Sequence, residues 1–510
     1  MLISLSAVTC RPKISSNDQL SQTNTSFTPG PRPAVELIAR AVDSLAARVI
    51  AEGLAPAIGV ALVIDDRTAF SKSYGMADVT NGIPADDLAL WYVASTSKSF
   101  TGFAISLLAQ QGAIDFGTPV TTLLPHAQWP GGCDPGSLAL ANFLSHTHQL
   151  QDIAITMSAA YTGAFPESDW PAMIRYAAPK SGHDLIYSNF GYNVAAMVID
   201  AKRPEGWRRY LDSAVYKPAG MTETYTRISG IDQHRIVKPH ELRVDGGYVT
   251  STFYKTDLTM NSAGGHLATL HDLARWVTVQ LNGGVIDGKR VFPSDAVALS
   301  HRLIARQTHE ESKRFAYFNR EGWAAGWDVG SYRGQPMISR FGSYASTRSH
   351  LSFLPDRRIG VVVQTNGDLA SQATDILAAL AYDLEMGYPN ARVEAANRLQ
   401  RLIDRRPAVL SEIAKYDAKR ASRQKPLNRP LSDFAGSYQH EWYGRITFEV
   451  RDNKLHYRWG ALYGPAEVLD ADGDVLRIEV VDEGISVAFS FPHSGPATSI
   501  ELRNETFERQ

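Results

Sequence analysis

Two short motifs place groups suited to acyl transfer at helical spacing. In Ser95-Thr96-Ser97-Lys98, a hydroxyl nucleophile and a lysine amine stand three residues apart. Residues i and i+3 share one face of a helix, so the Lys98 amine can reach the Ser95 hydroxyl. An apolar stripe from Phe100 to Leu108 predicts a helix that begins near Ser95, where backbone N–H groups favour developing negative charge. The motif therefore predicts a serine acyl-transfer site with an oxyanion hole.

The same spacing occurs a second time, so the motif needs support from elsewhere in the chain. Ser422 and Lys425 repeat it within a run of lysine and arginine, and no apolar helix follows. This context is typical of a solvated linker.

The support comes from Tyr187-Ser188-Asn189, which also leads into an apolar helical segment. A tyrosine beside a lysine ammonium loses its proton more easily, which makes Tyr187 a candidate base for Ser95 and acid for the leaving group. Asn189 offers a donor and an acceptor that can fix Lys98 or a substrate amide. Without Ser95, a tyrosine packed in the core would be the simpler interpretation.

With these motifs the chain resembles the serine β-lactamase and penicillin-binding protein superfamily, in particular its class C β-lactamase-like branch. Several further segments resemble that family in the same order along residues 35 to 390. They are the His-Thr loop at Phe143–Thr147, the glycine turn at Ser262–Gly265, the helix start at Asp272–Arg275, and the late hairpin at Arg348–Pro355 and Ile359–Asn366. The resemblance implies an antiparallel sheet flanked by helices, with a helical insertion.

The third motif of that family departs from its usual pattern. Counting back from Pro355, the Lys-Thr-Gly or His-x-Gly strand falls on Arg340-Phe341-Gly342. Gly342 suits a strand that must approach the acyl group closely, and the resemblance implies that the N–H of Ser343 joins that of Ser95 in the oxyanion hole. Arg340 is predicted to bind a substrate carboxylate through its permanent positive charge. Unlike the Lys or His of the family motif, it cannot exchange a proton. Phe341 is expected to narrow the cleft.

The resemblance implies a serine hydrolase that acts through an acyl-enzyme on a small ester, amide or peptide, as an esterase, a D-amino-acid amidase or peptidase, or a β-lactamase-like enzyme. Two alternatives stay open. One is an acyltransferase of the same fold, and the other is a penicillin-binding or sensor protein that no longer turns over. No cofactor is implied.

Other chemistries find less support. No Gly-x-Ser-x-Gly elbow occurs, and the His-Glu pairs at His240, His309 and His440 lack a second histidine at zincin spacing. His146 and His148 have the spacing of two ligands on one strand, but no acidic or histidine cluster accompanies them, so no metal site is predicted. A net charge of -2 gives no reason to expect nucleic acid, and no stretch is long enough to span a membrane. The sequence leaves the oligomeric state open.

The pattern of the chain predicts an α+β fold followed by a β module. Residues 1–33 are expected to form a disordered leader and 34–392 the catalytic domain, with a helix at 34–52 and another at 371–384. A charged linker at 393–429 then leads to strict apolar alternation in 430–510, which indicates a small barrel or sandwich. This module resembles the lipocalin-like domain of some family members. Leu2–Val8 is too short for a complete signal peptide. The compartment therefore stays open, cytoplasmic at face value and periplasmic or secreted by the resemblance.

Overall fold

The computed structural model describes residues 27–180, 185–253, 255–307, 318–423, 426–481 and 483–510. The expected leader up to residue 26, together with His309 and Lys425, lies outside them. The described end of that leader is held in place by charge, since Arg32 lies 3.0 Å from both Asp65 and Glu385. None of the helices in the described ranges combines the length and apolar character needed to cross a bilayer.

One antiparallel sheet organises the larger part of the chain. Its order is β4-β5-β6-β7-β8-β9-β1-β2-β3, so the N-terminal strands pair with the strands that arrive last. The bounds are β1 Ala57–Ile64, β2 Arg67–Asp78, β3 Ile83–Pro84, β4 Ala305–Arg306, β5 Asn319–Trp323, β6 Asp328–Tyr332, β7 Gln335–Tyr344, β8 Thr347–Leu354 and β9 Ile359–Thr365.

Helices cover both faces of this sheet, which explains why every residue of β1 is buried. The longer helices are α1 Val35–Ala51, α2 Ser97–Gln110, α3 Phe190–Lys202, α4 Leu270–Leu281, α5 Ser371–Glu385 and α6 Ala391–Ala421. One core lies between the sheet and α1, α5 and α6, and the other between the sheet and α2 to α4. Both predicted helices, at 34–52 and 371–384, are confirmed to within a residue at each end.

Short elements make up most of the insertion between α2 and α4. Three two-residue strands, at Trp91–Tyr92, Thr224–Tyr225 and Leu267–Ala268, form a small sheet beside the site. The other short strands pair in twos, at Leu150–Gln151, Ala178–Pro179, His240–Leu242, Tyr248–Thr250, Val285–Ile286 and Lys289–Arg290. The shorter α-helices within the described ranges are Val120–Leu123, Leu140–Leu144, Ala154–Met157, Trp170–Met173, Trp207–Leu211, Lys217–Ala219, Ser294–His301 and Leu431–Phe434.

The C-terminal module is a nearly closed barrel, in the order β13-β12-β11-β10-β18-β17-β16-β15-β14. Its strands are β10 Gly436–His440, β11 Gly444–Arg451, β12 Lys454–Trp459, β13 Leu462–Pro465, β14 Glu467–Asp470, β15 Val475–Val480, β16 Glu483–Ser490, β17 Ser499–Leu502 and β18 Glu505–Arg509. The predicted fold class, α+β with a C-terminal barrel or sandwich, is confirmed. The lipocalin likeness and the domain boundaries stay predictions.

The barrel contacts the helical insertion through the turn between β12 and β13. Ala461 donates its backbone N–H to the carbonyl of Thr162 at 2.7 Å. A Cβ at Gly460 would lie 1.9 Å from that same carbonyl oxygen, so only glycine fits the turn there. The barrel is therefore fitted closely against residues 158–162.

Most of the segment expected as a charged linker is helical. Helix α6 occupies Ala391–Ala421 and buries one stripe that includes Ala395, Leu399 and Leu402 against the α5 side of the sheet. The other faces of the helix carry so many charged residues that the apolar stripe has little weight in the composition, which explains why composition alone indicated a linker.

Candidate active site

Ser95 lies in a tight turn between a short strand and helix α2. After Trp91–Tyr92 the chain forms a 3-10 turn over Ala94–Thr96 that continues directly into α2. Ala94 has a φ of +47°, a left-handed conformation that is strained for a residue with a side chain. The strained turn and the buried helix behind it together fix the position of Ser95.

Lys98 is fully buried and its ammonium group is completely hydrogen-bonded. Its Nζ donates to Ser95 Oγ at 3.1 Å, to Asn189 Oδ1 at 2.7 Å and to the carbonyl of Ala263 at 2.6 Å. An ammonium has three protons, so these contacts use all of them. The structure thus brings Lys98 and Asn189 to Ser95, as the two motifs predicted.

Tyr187 reaches Ser95 from the other side. Its hydroxyl donates to Ser95 Oγ at 2.8 Å, and its ring packs against His146 and Trp323 with centroid distances of 4.6 and 5.5 Å. Asn189 immediately precedes α3, so the start of one helix supplies two groups to the site at the start of another.

The charges around Lys98 and Tyr187 bring the pKa values of the two groups together. Burial lowers the pKa of Lys98, the Tyr187 oxygen partly offsets this, and the value falls to about 8. Burial raises the pKa of Tyr187, but the nearby Lys98 and Arg340 cations outweigh it and lower the value to about 8. The two groups form a coupled pair that shares its protons. Such a pair can give up or take up a proton near neutral pH.

Arg340 lies in the site, and its guanidinium contacts protein groups. Nε donates to the carbonyl of Ser95 at 3.0 Å and Nη2 to the Tyr187 hydroxyl at 2.9 Å, while Nη1 lies 3.5 Å from Asp328. Its side chain is 2% exposed. Asp328 also pairs with Arg320. This geometry favours an effect of Arg340 on Tyr187, and the predicted grip on a substrate carboxylate stays a prediction.

Successive side chains of β7 point to opposite faces of the sheet, so Phe341 points away from Arg340. Phe341 lies in the core on the opposite face of the sheet, where its ring contacts His350 at 4.9 Å. The expectation that Phe341 narrows the cleft was therefore wrong.

Gly342 faces the site and approaches Ser95 closely. A Cβ at Gly342 would lie 2.3 Å from the Val93 carbonyl and 2.9 Å from the Ser95 nitrogen, so a side chain there would force the strand away. Ser343 follows on the same strand, next to this close approach.

His146 and His148 contact different neighbours. His148 Nδ1 accepts from the N–H of Leu150 at 3.1 Å and its ring stacks on Phe143, while His146 packs on Tyr187. Within the described ranges, no group of three or more His, Cys, Asp or Glu side chains is placed to hold a metal ion.

Sequence reasoning missed three contributors to the site. They are Asp328, which pairs with Arg340, Trp323, which supports the Tyr187 ring, and the carbonyl of Ala263, which accepts from Lys98. Ala263 lies in the glycine turn at Ser262–Gly265. The sequence therefore predicted the turn, but it could not predict that the Ala263 carbonyl accepts from Lys98. Asp328 and Trp323 lie on strands whose local pattern carries no chemical signal.

Known proteins share this arrangement of elements. The chain is 24% identical to the "Unguisins hydrolase ungD" of Aspergillus violaceofuscus over 79% of its own length and 75% of that protein. The octameric penicillin-binding protein homologue from Pyrococcus abyssi has a TM-score of 0.57 at 17% identity, covering 91% of this chain and 98% of that one. A D-amino acid amidase from Ochrobactrum anthropi SV3 has a TM-score of 0.56 at 19% identity, covering 71% and 99%. These two structures show a common fold.

The family itself is shown by a direct match of the sequence. The model of the family described as Beta-lactamase matches residues 42–384, a range that includes Ser95, Lys98, Tyr187 and the whole of β7. The superfamily resemblance predicted from the motifs is thus confirmed. The chain belongs to the beta-lactamase family, within the superfamily of serine hydrolases.

Proposed function

We propose that the protein hydrolyses a small ester, amide or peptide through an acyl-enzyme on Ser95. The observation that carries this proposal is the position of Ser95 Oγ, 3.1 Å from Lys98 Nζ and 2.8 Å from the Tyr187 hydroxyl. A hydroxyl nucleophile within hydrogen-bond distance of two proton-exchanging groups is the arrangement that acyl transfer requires. Two similar proteins are named as a hydrolase of unguisins and an amidase of D-amino acids, which supports a hydrolytic reaction.

The proposed reaction has two stages. Ser95 Oγ bonds to the substrate carbonyl carbon while its proton passes to the Lys98–Tyr187 pair, and the N–H groups of Ser95 and Ser343 stabilise the oxyanion. The intermediate collapses when Tyr187 protonates the leaving group, whose bond to the carbonyl carbon breaks. Water then attacks the acyl carbon and gives one proton to the pair. The bond from that carbon to Ser95 Oγ breaks, the pair returns the proton to Oγ, and the acid leaves.

The proposal is tested by covalent labelling of the wild-type protein. Incubation with a fluorophosphonate should add one phosphonyl group to the intact mass, and peptide fragmentation should place it on Ser95, with Ser97 and Ser99 unlabelled. Preincubation with a p-nitrophenyl ester that the protein turns over should slow the labelling. A protein that stays unlabelled and turns over none of these esters would be the non-catalytic alternative. Faster ester consumption and a new ester product in added alcohol would indicate the acyltransferase.

Arg340 provides a smaller prediction about pH. Its guanidinium lowers the pKa of Tyr187, so Arg340→Gln should raise that pKa and move the acidic limb of the kcat/KM profile up by about one pH unit. At pH 7 this shift corresponds to a decrease of about tenfold in kcat/KM. Arg340→Lys, which keeps the charge, should leave most of the limb in place. An unmoved limb with a raised KM for acidic substrates alone would instead support the carboxylate grip.

A further inference from the structure

A cavity of about 400 Å³ is lined by residues that flank the site, among them Tyr92 and Tyr344. Tyr344 borders it and lies two residues beyond Gly342, on the same face of β7 and about 7 Å farther along the strand. Tyr92 borders it too and hydrogen-bonds the carbonyl of Gly264, a residue that faces the Ser95 nitrogen. Tyr92 and Tyr344 thus connect the cavity to the turn and the strand that flank Ser95, and its size suits a small ligand.

Most of the lining is apolar, from Tyr92, Ile228, Phe253, Met260, Leu267 and Tyr344. Two lysines also contribute. Lys238 lies near Asp78, whose charge raises the pKa of its ammonium against the effect of burial. This charge is thus balanced within the protein.

Lys255 differs in that backbone carbonyls and an aromatic ring surround its ammonium. Its Nζ donates to the carbonyls of Ala160 at 2.5 Å and Thr259 at 3.4 Å, and lies 3.8 Å from the centre of the Tyr344 ring. Among the described residues Lys255 forms no salt bridge, and burial lowers the pKa of the ammonium to about 7. A cation in such surroundings is stabilised when an anion joins it.

The cavity lies on the acyl side of the reaction. Tyr187 is proposed to protonate the leaving group, and the side chains packed around it are Lys98, His146, Trp323 and Arg340. None of these lines the cavity. A substrate that directs its leaving group toward Tyr187 directs its acyl chain away from that residue, and the cavity bordered by Tyr344 lies on a side that the neighbours of Tyr187 leave open.

We propose that this cavity binds the acyl chain of the substrate and that Lys255 pairs with a carboxylate at the far end of that chain. The substrate class is then an ester or amide of an apolar acyl group that bears a terminal acid. This assignment rests on the proposed function. The simpler interpretation is that Lys255 only joins the backbone at Ala160 to that at Thr259. A preference of the protein for acidic over neutral substrates distinguishes the carboxylate subsite from this structural role.

The test compares each p-nitrophenyl hemiester with its own methyl ester. Adipate, suberate and sebacate hemiesters place the acid at increasing distance from the reacting carbonyl. In the wild-type protein, we expect the ratio of kcat/KM for acid over methyl ester to exceed about ten at the best chain length. In Lys255→Met this ratio should fall to about one or below. Each ratio is measured within one variant, so partial misfolding cancels from it.

Two further variants complete the design. Lys255→Arg, which keeps the charge, should retain a preference for the acid. Lys289→Met, an exposed lysine on the short strand Lys289–Arg290, should keep the wild-type ratio. A wild-type ratio near one, or a ratio unchanged in Lys255→Met, would overturn the carboxylate subsite while leaving the acyl-enzyme intact. Ester hydrolysis by Ser95→Ala at more than a tenth of the wild-type rate would instead overturn the proposed function.

Discussion

Ser95→Ala should lower kcat/KM for a p-nitrophenyl ester by roughly 10⁶-fold, the order of loss known for removing a serine nucleophile. The alanine removes the atom that bonds to the acyl group and leaves Lys98 and Tyr187 in place. The oxyanion donors stay as well, so a small residual rate through direct attack by water is expected. Steady-state kinetics at saturating and low ester concentrations measure the loss.

The second Ser-x-x-Lys copy provides a matched control for this experiment. Ser422 is exposed at the end of α6, far along the chain from the site, and Ser422→Ala should retain the wild-type rate. A Ser95→Ala protein with normal melting temperature and more than a tenth of the wild-type rate would rule out the acyl-enzyme.

Lys98→Met should lower kcat/KM by about 10³-fold, within the range for losing a positioned acid-base group. Methionine fills a similar volume, but it cannot donate to Ser95, Asn189 or the Ala263 carbonyl, all of which Lys98 contacts. Ser95 would then lose one of the two groups that can take its proton. Circular dichroism and thermal unfolding would show whether the helix and the fold persist.

The pH profile shows whether Lys98 acts through charge. The Lys98–Tyr187 pair must lose a proton before it can accept one from Ser95, and both pKa values fall to about 8. Wild-type kcat/KM should therefore rise with pH and level off above about 8. In Lys98→Met the lost ammonium raises the pKa of Tyr187, so the residual activity should rise at higher pH. A residual profile that coincides with the wild-type profile would mean that Lys98 does not influence Tyr187.

The sequence predicted best those features that depend on local spacing. Ser95 and Lys98 are one helical turn apart, and Tyr187 and Asn189 are two residues apart, so each pair could be identified without knowledge of the fold. The barrel strands were visible for a similar reason, since alternation such as Ile446, Phe448 and Val450 is a local signal.

Other features depend on contacts between distant parts of the chain. The salt bridge of Arg340 with Asp328 forms because β6 and β7 are neighbours, and the register that pairs Asp328 with Ser339 cannot be read from either strand alone. The same register turns Phe341 away from the cleft. Lys255 carries no motif, and its contacts with the Ala160 and Thr259 carbonyls and with the Tyr344 ring become evident only once the cavity is formed.

The barrel turn at Gly460 and Ala461 links the barrel to the cavity described above. Gly460 approaches the Thr162 carbonyl closely and Ala461 donates its N–H to it. The segment that contains Thr162 also contains Ala160, whose carbonyl accepts from Lys255. Through Thr162 and Ala160, the barrel thus supports Lys255, which lines the proposed acyl cavity. Under the proposal made above, a change in the barrel would alter which acyl chains are accepted while Ser95, Lys98 and Tyr187 stay in place.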